Sequence, residues 1–409
     1  MAVNLNKEAI HMQKVVLSEP LRTAIGAFGG TLKDTNSAKL GATVVKEILD
    51  RTGIDPKEID DCIMGNILGA GQGMNVSRQI SIEAGLPVET PAVTINRVCG
   101  SGVQSIALAA QAIKAGDAEA IIAGGTENMN LAPFYLPKAR YGYRMGMPKD
   151  EIVDGMVYDG LWDIFNDYHM GVTAENLAES YNISKDEQDE FAYKSQQKCK
   201  AAQDEGRFKD EIVPVLIPQR RGDPLAFDRD EHPKGDTTLE ALKSLRPVFK
   251  VGGTVTAGNA SGINDGAAAI LVSSEKKAKD LGLKPVASIV SYAVGGVDPS
   301  IMGIGPVPAI QKALDKAKLS LDDIDLFELN EAFAAQSLAV LRDLPIPEDK
   351  INVNGGAIAL GHPIGASGTR ILVTLLHEMG KRKKVKRGLA ALCIGGGMGI
   401  AIIVEKEKN

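Results

Sequence analysis

The sequence contains two copies of one pattern, and this repeat restricts the fold more than any other feature. Val44 to Asp60 (VVKEILDRTGIDPKEID) aligns with Ala309 to Asp325 (AIQKALDKAKLSLDDID), and Ile121 to Gly125 (IIAGG) aligns with Leu392 to Gly396 (LCIGG). Each copy has a helical pattern, an acidic turn, a buried strand, a Gly-rich turn, a helix and a second buried strand. A chance match of generic helices is the alternative. The shared order and spacing favour two α/β units that face each other with a site between them.

Between the copies the chain changes character. Residues 132–262 hold the Tyr- and Met-rich run PFYLPKARYGYRMGMPKDE and a charged helix with a capping box at Ser184 and Glu187. We therefore predict an α/β protein with an N-terminal half (1–131 plus 263–284), an inserted loop domain (132–262) and a C-terminal half (285–409). The alternation of strands and helices predicts a mostly parallel sheet.

Composition excludes several classes of function. The net charge of -6 gives no indication of a nucleic-acid or membrane surface, and no phosphate-loop pattern GxxxxGK is present. Four cysteines without a CxxC spacing argue against a disulfide framework and a zinc ribbon. The first dozen residues resemble neither a secretory signal nor a transit peptide, so we expect a cytoplasmic protein without a metal.

The stretch from Ala92 to Gly116 places one cysteine between a strand and a helix. Apolar residues lead into Cys99, and helical spacing begins at Val103. A thiol at a helix start lies at the positive end of the dipole, which predicts a pKa below the usual value of about 8.5. A buried cysteine that acts as a small hydrophobe is the alternative.

Cysteines and histidines elsewhere sort by their surroundings. Three histidines lie in a tail, a charged loop and a polar helix side, namely His11, His232 and His377. We interpret Cys62 as a core residue of a strand and Cys199 as part of a charged helix face. The remaining candidates are His169 within the insert, and His362 and Cys393 on Gly-rich turns of the second copy.

Cys99, His362 and Cys393 together suggest nucleophilic chemistry. An imidazole can take the proton of a nucleophilic thiol, and a second thiol can move a proton to or from carbon. The amides of Cys99, Gly395 and Gly396 are candidate oxyanion donors. Asn330 follows a buried strand and could hold a water or a carbonyl oxygen; the alternative makes Asn330 and Glu331 a helix cap and its partner.

Four blocks in this order resemble the signature motifs of the thiolases: VCGSG at Cys99, NEAF at Asn330, GHPIGASG at His362 and CIGGGMG at Cys393. TAGNASGINDGAAA is similar to the coenzyme A loop of that family, and the likeness extends from about Lys14 to Val404. The resemblance implies two βαβαβαββ halves that form a five-layered α/β/α/β/α core, with the insert over the active site.

The resemblance also implies roles. Cys99 would be the acylated nucleophile, His362 its activator and Cys393 the acid/base, while Asn330 would hold an oxyanion-hole water. The Cys99 and Gly395 amides would form a second oxyanion hole. Implied contacts to substrate and coenzyme A are Leu161, His169, Met170, Lys234, Ala257, Ser261, Met302 and Phe333. The loop around Lys234 departs from the family's usual pattern.

DGLWDIFNDYHMG resembles the short-chain members, whereas long-chain degradative members usually lack its histidine. The resemblance thus implies condensation of two acetyl-CoA to acetoacetyl-CoA and CoA, with thioesters as substrates, no cofactor, and a homotetramer docked through Ala132 to Lys149. A long-chain 3-ketoacyl-CoA thiolase is the nearer alternative. A decarboxylating ketoacyl synthase would have a second histidine at Asn330, and a silent acyl-CoA binding protein would lack one of the three catalytic groups.

Overall fold

A computed structural model describes residues 13–143 and 151–407. The part of the chain before the insert alternates strands and helices as the sequence predicts. Its elements are β1 Val15–Thr23, β2 Gly26–Ala27, α1 Ser37–Thr52, β3 Asp61–Gly65, α2 Val76–Ala84, β4 Ala92–Ile95, α3 Ser101–Ala115 and β5 Ala120–Asn128. The glycines after α1 and α3 adopt the positive φ that ends a helix, with Gly53 at 62° and Gly116 at 85°.

The insert consists of short strands and helices. They are β6 Phe134–Tyr135, β7 Val153–Asp154, α4 Gly155–Gly160, β8 Trp162–Asp163, β9 Tyr168–His169, α5 Met170–Ser180, α6 Lys185–Asp204, β10 Ile212–Val213, β11 Val215–Ile217, β12 Leu225–Phe227 and α7 Leu239–Ser244. The predicted capping box of α6 is confirmed, because Ser184 and Glu187 exchange hydrogen bonds with each other's backbone. Strand β10 leaves the insert and pairs with β1.

After the insert the chain re-enters the core. The elements are β13 Asn264–Ser274, α8 Glu275–Asp280, β14 Ala287–Gly296, α9 Pro306–Ala317, β15 Leu326–Leu329, α10 Ala334–Asp343, α11 Ala357–Leu360, α12 Ile364–Lys381, β16 Arg387–Ile394 and β17 Met398–Lys406. Short 3₁₀ turns occur at Pro56–Glu58, Ala139–Tyr141, Pro299–Ile304, Leu321–Asp323 and Glu348–Lys350.

The central sheet has the order β15-β16-β17-β14-β1-β13-β5-β3-β4. Along this order only the ends are parallel, at β15–β16, β5–β3 and β3–β4, whereas every pair from β16 to β5 is antiparallel; the short strand β10 adds a parallel pair beside β1. The prediction of a mostly parallel sheet is therefore wrong. One reason is that β13 enters the sheet between β1 and β5 and runs antiparallel to both. The other is the tight turn at Gly396 and Gly397, which makes β16 and β17 an antiparallel hairpin.

Five layers result from this arrangement, which confirms the architecture that the resemblance implied. Helices α1 and α2 cover the outer face of the N-terminal part of the sheet, and α9 and α10 cover the outer face of the C-terminal part. Helices α3 and α12 share a core with strands of both parts and so form the middle layer. The two parts meet at β1 and β14, through the pairs Val16–Ser288 and Leu17–Ala287.

The middle layer depends on two glycines where α3 crosses α12. A Cβ at Gly102 would lie 2.5 Å from the Thr369 amide nitrogen, and a Cβ at Gly368 would lie 2.6 Å from that of Val103. Real Cβ contacts are longer than this. The two helices can therefore touch near their N-termini only because these two positions carry no side chain. The crossing sets the N-termini of α3 and α12 side by side.

The repeat is visible in the structure. Helix α1, the turn Pro56–Glu58 and β3 correspond to α9, the turn Leu321–Asp323 and β15. The counterpart of β4 is reduced to one parallel bridge between Phe327 and Ile351.

Cys199 is fully buried in the core, so its interpretation as part of a charged helix face is wrong. None of the helices among residues 13–143 and 151–407 is long and apolar enough to cross a membrane.

A buried arginine joins the insert to the core. Arg22 on β1 donates from Nε to Glu211 at 2.7 Å and from both terminal nitrogens to Asp230 at 2.7 and 2.9 Å. Its guanidinium also lies 5.2 Å from the ring centre of Phe208. Both carboxylates belong to the insert. Removing either partner would leave buried charge uncompensated, which typically costs about 3–5 kcal/mol.

Candidate active site

Cys99 lies in a strained turn between β4 and α3. Val98 adopts a φ of 45°, which is unusual for a β-branched residue. Asn96 Oδ1 accepts from the Val98 amide at 2.8 Å, while Ser101 Oγ donates to the Val98 carbonyl at 2.7 Å and accepts from the Arg97 amide at 2.8 Å. These bonds hold the backbone strain in place and fix the direction of Cys99.

His362 occupies the equivalent position in the second repeat. Cys99 precedes the first residue of α3 by two positions, and His362 precedes the first residue of α12 by two. Because α3 and α12 cross at their first turns, the two side chains reach the same pocket. The His362 amide donates to Asn264 Oδ1 at 2.9 Å, which anchors this turn to β13.

Hydrogen bonds identify the basic nitrogen of His362. Nδ1 lies 2.6 Å from Ser367 Oγ, and the Ser367 hydroxyl lies 2.9 Å from the Pro363 carbonyl oxygen. The hydroxyl has one proton, which it donates to the carbonyl, so it accepts from Nδ1–H. Nε2 is therefore unprotonated and available to accept the proton of a thiol.

Asn330 lies next to this imidazole. Its Nδ2 lies 3.4 and 3.5 Å from the two ring nitrogens of His362. Its Oδ1 is buried without a hydrogen-bond partner in the part of the chain that the structure describes. The alternative role as a helix cap is wrong, because α10 begins only at Ala334 and Phe333 occupies the cap position.

Burial governs the titration of the three candidate groups. It raises the pKa of the Cys99 thiol to about 11, although the Gly395 and Cys99 amides directed at the sulfur lower it. This is opposite to the shift expected from the helix start alone. Burial, followed by the charge of Arg370, lowers the pKa of His362 to about 3. Burial and the neighbouring Cys99 raise the pKa of Cys393.

Cys393 and Gly395 lie where β16 turns into β17. Cys393 is buried in the penultimate position of β16. Gly395 follows the strand, and a Cβ there would lie 3.5 Å from both Met170 Sδ and Val98 Cγ1. The amides of Gly395 and Cys99 converge on the Cys99 sulfur. Two such donors could also bind an oxyanion that forms on a group attached to that sulfur.

A pocket of about 340 Å³ opens onto Cys99. Its predicted lining residues are Cys99, Leu161, His169, Met170, Ala257, Ser261, Met302, Phe333, His362, Cys393 and Gly395. Lys234 does not line this pocket, and its amide donates to Gln196 Oε1 at 2.8 Å. A contact between Lys234 and an adenine group therefore stays a prediction. Asn330 does not line the pocket either and reaches it through His362.

Phe249 is a pocket residue that the sequence analysis missed. Its ring stacks on His169 with centres 4.7 Å apart and meets Phe333 edge-on at 6.2 Å. Gly171 makes this possible, because a Cβ there would lie 2.2 Å from the Phe249 ring. His169 Nδ1 accepts from the Gly171 amide at 3.0 Å, so its proton resides on Nε2. Aromatic residues are scarce in this chain, and this scarcity was the only feature of the sequence that could have drawn attention to Phe249.

The loop between α7 and β13 forms one wall of the pocket. Glu175 is buried and accepts from the amides of Thr254 and Val255 at 2.8–2.9 Å. The Ser261 amide donates to the Ala332 carbonyl at 2.9 Å. The wall is thus fixed both to α5 and to the segment that carries Asn330. Among the described residues, no group of three or more His, Cys, Asp or Glu side chains could hold a metal ion.

The arrangement is suited to acyl transfer. A thiol and an imidazole, both neutral at pH 7, face a narrow, largely apolar pocket with two amides at the sulfur. Nucleophilic attack would move the thiol proton to Nε2 of His362 and place negative charge at the amides. A second buried thiol remains for another proton transfer.

Known proteins resemble this sequence over nearly its whole length. The sequence matches the family description "Thiolase, N-terminal domain" over residues 15–276 and "Thiolase, C-terminal domain" over residues 283–406. It is 61% identical to the acetyl-CoA acetyltransferase of Syntrophomonas wolfei over 96% of this chain and 99% of that protein. It is 59% identical to that of Pseudomonas aeruginosa over 97% and 100%.

Solved structures show the same fold. The acetyl-CoA acetyltransferase of Bacillus anthracis superposes with a TM-score of 0.94 at 45% identity, covering 97% of this chain and 99% of that one. Human mitochondrial 3-ketoacyl-CoA thiolase in complex with CoA superposes with a TM-score of 0.92 at 46% identity, covering 97% and 98%.

Ser367→Ala should slow alkylation of Cys99 by iodoacetamide at pH 7 by about 10-fold, because His362 then loses the contact that keeps Nε2 unprotonated. Peptide mass analysis over a time course measures this rate. Ser18→Ala is the control, since the Ser18 hydroxyl on β1 is buried and makes no hydrogen bond within the described residues. An unchanged rate in Ser367→Ala would show that Ser367 does not orient the base.

Proposed function

Because the chain belongs to the thiolase family, we propose that it is an acetyl-CoA C-acetyltransferase, which condenses two acetyl-CoA to acetoacetyl-CoA and CoA and also runs the reverse reaction. The observation that carries this proposal is the identity of 59–61% over nearly the whole chain with proteins of that name. The pocket at Cys99 supports it, because it joins a nucleophile, a base and an oxyanion site. Coenzyme A thioesters are substrates, and the proposed chemistry uses no cofactor.

In the first half-reaction Cys99 Sγ attacks the carbonyl carbon of acetyl-CoA. The thiol proton passes to Nε2 of His362, and the amides of Cys99 and Gly395 bind the resulting oxyanion. Collapse of this intermediate breaks the bond from carbon to the sulfur of CoA. His362 then returns the proton to the departing thiolate, which leaves acetyl-Cys99 and CoA.

In the second half-reaction the Cys393 thiol first gives its proton to Nε2 of His362, and the resulting Cys393 thiolate removes a proton from the methyl carbon of a second acetyl-CoA. The enolate oxygen accepts hydrogen bonds from the protonated Nε2 of His362 and from a water held on Asn330, whose Oδ1 has no partner among the described residues. The enolate carbon attacks acetyl-Cys99, and acetoacetyl-CoA leaves as the Cys99 sulfur departs. His362 returns the proton on Nε2 to that sulfur, and Cys393 keeps the proton taken from carbon, so that both thiols and the neutral imidazole are restored.

The remaining pocket residues would bind the thioester. Ser261, Ala257 and Leu161 lie along the wall that the pantetheine arm would follow, and His169 would donate to it from Nε2. The acyl end would be closed by Met170, Met302 and Phe333, which belong to one apolar cluster. A pocket that is closed by these three side chains accommodates a short acyl group better than a long one.

The second candidate is a 3-ketoacyl-CoA thiolase of broader chain length. The fold match to the human mitochondrial enzyme of that name favours it, with a TM-score of 0.93 at 46% identity. The catalytic groups would be the same, so only the acyl pocket separates the two functions. A silent acyl-CoA binding protein is disfavoured, since Cys99, His362 and Cys393 are all present. A cytoplasmic location stays a prediction.

A homotetramer is part of the proposal. The segment from Ala132 to Lys149 exposes large apolar side chains, with Phe134 at 65%, Leu136 at 52% and Tyr141 at 90% exposure. Its Met145 and Met147 lie outside the described residues. A solvated loop seldom presents so many apolar groups together, so we infer that this segment contacts other copies of the chain.

Cys99→Ala should abolish both acylation and turnover, whereas Cys393→Ala should still form acetyl-enzyme but fail to make acetoacetyl-CoA. The reason is that only the second half-reaction needs proton transfer at carbon. Incubation with acetyl-CoA followed by peptide mass analysis detects the acetyl group on Cys99. Cys62→Ala, a buried cysteine outside the pocket, is the control. Equal loss of acylation in the Cys99 and Cys393 variants would contradict these roles.

Acetoacetyl-CoA should be cleaved far faster than 3-ketohexadecanoyl-CoA. Each methylene that the closed pocket cannot accommodate costs on the order of 1 kcal/mol. Steady-state thiolysis with the two substrates gives the ratio of kcat/KM. Comparable values for both would favour the candidate with broader chain length.

Light scattering should give a mass of about four times the 43.3 kDa of one chain. Leu136→Asp combined with Tyr141→Asp should reduce it to a dimer with the Cys99 chemistry intact, since buried carboxylates oppose docking. Leu216→Asp, on an exposed position of β11, serves as the control. A monomer mass for the unmodified protein would refute the assembly, and an unchanged mass in the double variant would refute the role of this segment.

A further inference from the structure

Glu331 is a fully buried carboxylate beside Asn330 to which the mechanism above gives no role. It accepts three hydrogen bonds, from Ser195 Oγ at 2.6 Å, Asn352 Nδ2 at 2.8 Å and the Ile358 amide at 3.2 Å. The donors come from α6 of the insert, from the loop after α10 and from α11. One carboxylate thus joins three segments of the chain at the back of the pocket.

Two of these segments lead directly to catalytic groups. Helix α11 contains Ile358 and ends at Leu360, two residues before His362. Asn352 binds the strand end before Asn330, since its Oδ1 accepts from the Leu329 amide and its Nδ2 donates to the Leu329 carbonyl, both at 2.8 Å. Glu331 therefore holds the turn of His362 and the turn of Asn330 at a fixed separation.

The third segment is α6 of the insert, which carries Ser195 and binds both Glu331 and the backbone before α11. Ser195 Oγ also accepts from the Gly356 amide at 3.0 Å. A Cβ at Gly356 would lie 2.1 Å from the carboxyl carbon of Glu331, so a side chain at this position would displace the carboxylate. The backbone before α11 is consequently packed directly on Glu331.

The network needs a group that only accepts hydrogen bonds. Oε2 accepts from Ser195 and Ile358, and Oε1 accepts from Asn352. A glutamine would direct its NH₂ group at one of these donors. Asn352 cannot turn to compensate, because both ends of its amide are engaged by Leu329. Replacing this carboxylate by an amide would therefore break the connection while preserving its shape.

We propose that Glu331 is a positioning residue for the transfer reaction, which holds Asn330 and His362 in the relative geometry that their oxyanion site requires. The proposal rests on the proposed function for its reaction. It predicts a defect mainly in turnover, because Asn330 and His362 act on the reacting carbonyl group and not on the pantetheine arm. Displacements of about 1 Å in such groups are enough to lower rates about 100-fold.

The test compares Glu331→Gln with Glu378→Gln. Glu378 is a matched control, because it is also buried and accepts from Asn354, Arg207 and Arg382, but it lies near the far end of α12. Glu331→Gln should lower kcat for acetoacetyl-CoA thiolysis at least about 10-fold, with KM for both substrates within about twofold. Glu378→Gln should lower the thermal midpoint without this loss of kcat.

Ser195→Ala gives a milder variant if Glu331→Gln does not fold. It removes one donor to Oε2 and leaves Asn352 in place, so a loss of kcat of about threefold or more is expected. A kcat within twofold of the unmodified protein in Glu331→Gln, or in Ser195→Ala where only that variant folds, would overturn the proposal. An equal loss of kcat in Glu378→Gln at the same thermal midpoint would also overturn it.

Alkylation of Cys99 by iodoacetamide separates this proposal from the proposed function, because it needs no acyl-CoA substrate. Glu331→Gln should slow the alkylation several-fold through displacement of His362. Slowed alkylation in a protein that does not act on acetyl-CoA would refute the function and keep the positioning role. Unchanged alkylation together with unchanged turnover would refute the positioning role alone.

Discussion

The contact between two backbones at Gly102 and Gly368 is the constraint on which the rest of the structure depends. It allows the first turns of α3 and α12 to touch, with no room for a Cβ on either side. Because each helix begins two residues after a reactive side chain, the contact brings Cys99 and His362 from opposite repeats into one pocket. A chain with only one repeat would have the nucleophile without its base. The chemistry therefore requires the pairing of the two repeats.

The fold could be predicted from the sequence where local signals were strong. Apolar periodicity and terminal glycines located α1 and α3, and the capping box at Ser184 located the start of α6. Strand direction could not be read in the same way, because it depends on where β13 returns after a long insert. The burial of Cys199 was missed for a similar reason. Lysines beside it in sequence point outward, while Gly355 packs against it from a distant part of the chain.

The candidate site was predictable only where a residue type carries its own chemistry. Cys99, His362 and Cys393 are reactive groups on Gly-rich turns, and the structure brings all three to one pocket. Phe249 and Ser367 escaped notice, and Glu331 was interpreted only as the partner of a helix cap, because the roles of all three come from contacts. The direction of the Cys99 pKa shift was wrong because the helix dipole was considered without burial, which acts more strongly here.

Arg22 has a consequence for how this chain can change over time. Its guanidinium is buried in the central sheet, yet both of its carboxylate partners come from the insert. An insert of different length or sequence can replace the present one only if it supplies two carboxylates at the same places, or if Arg22 is lost in the same event. Recombination at the insert boundaries is thus restricted to donors that share this ion triad.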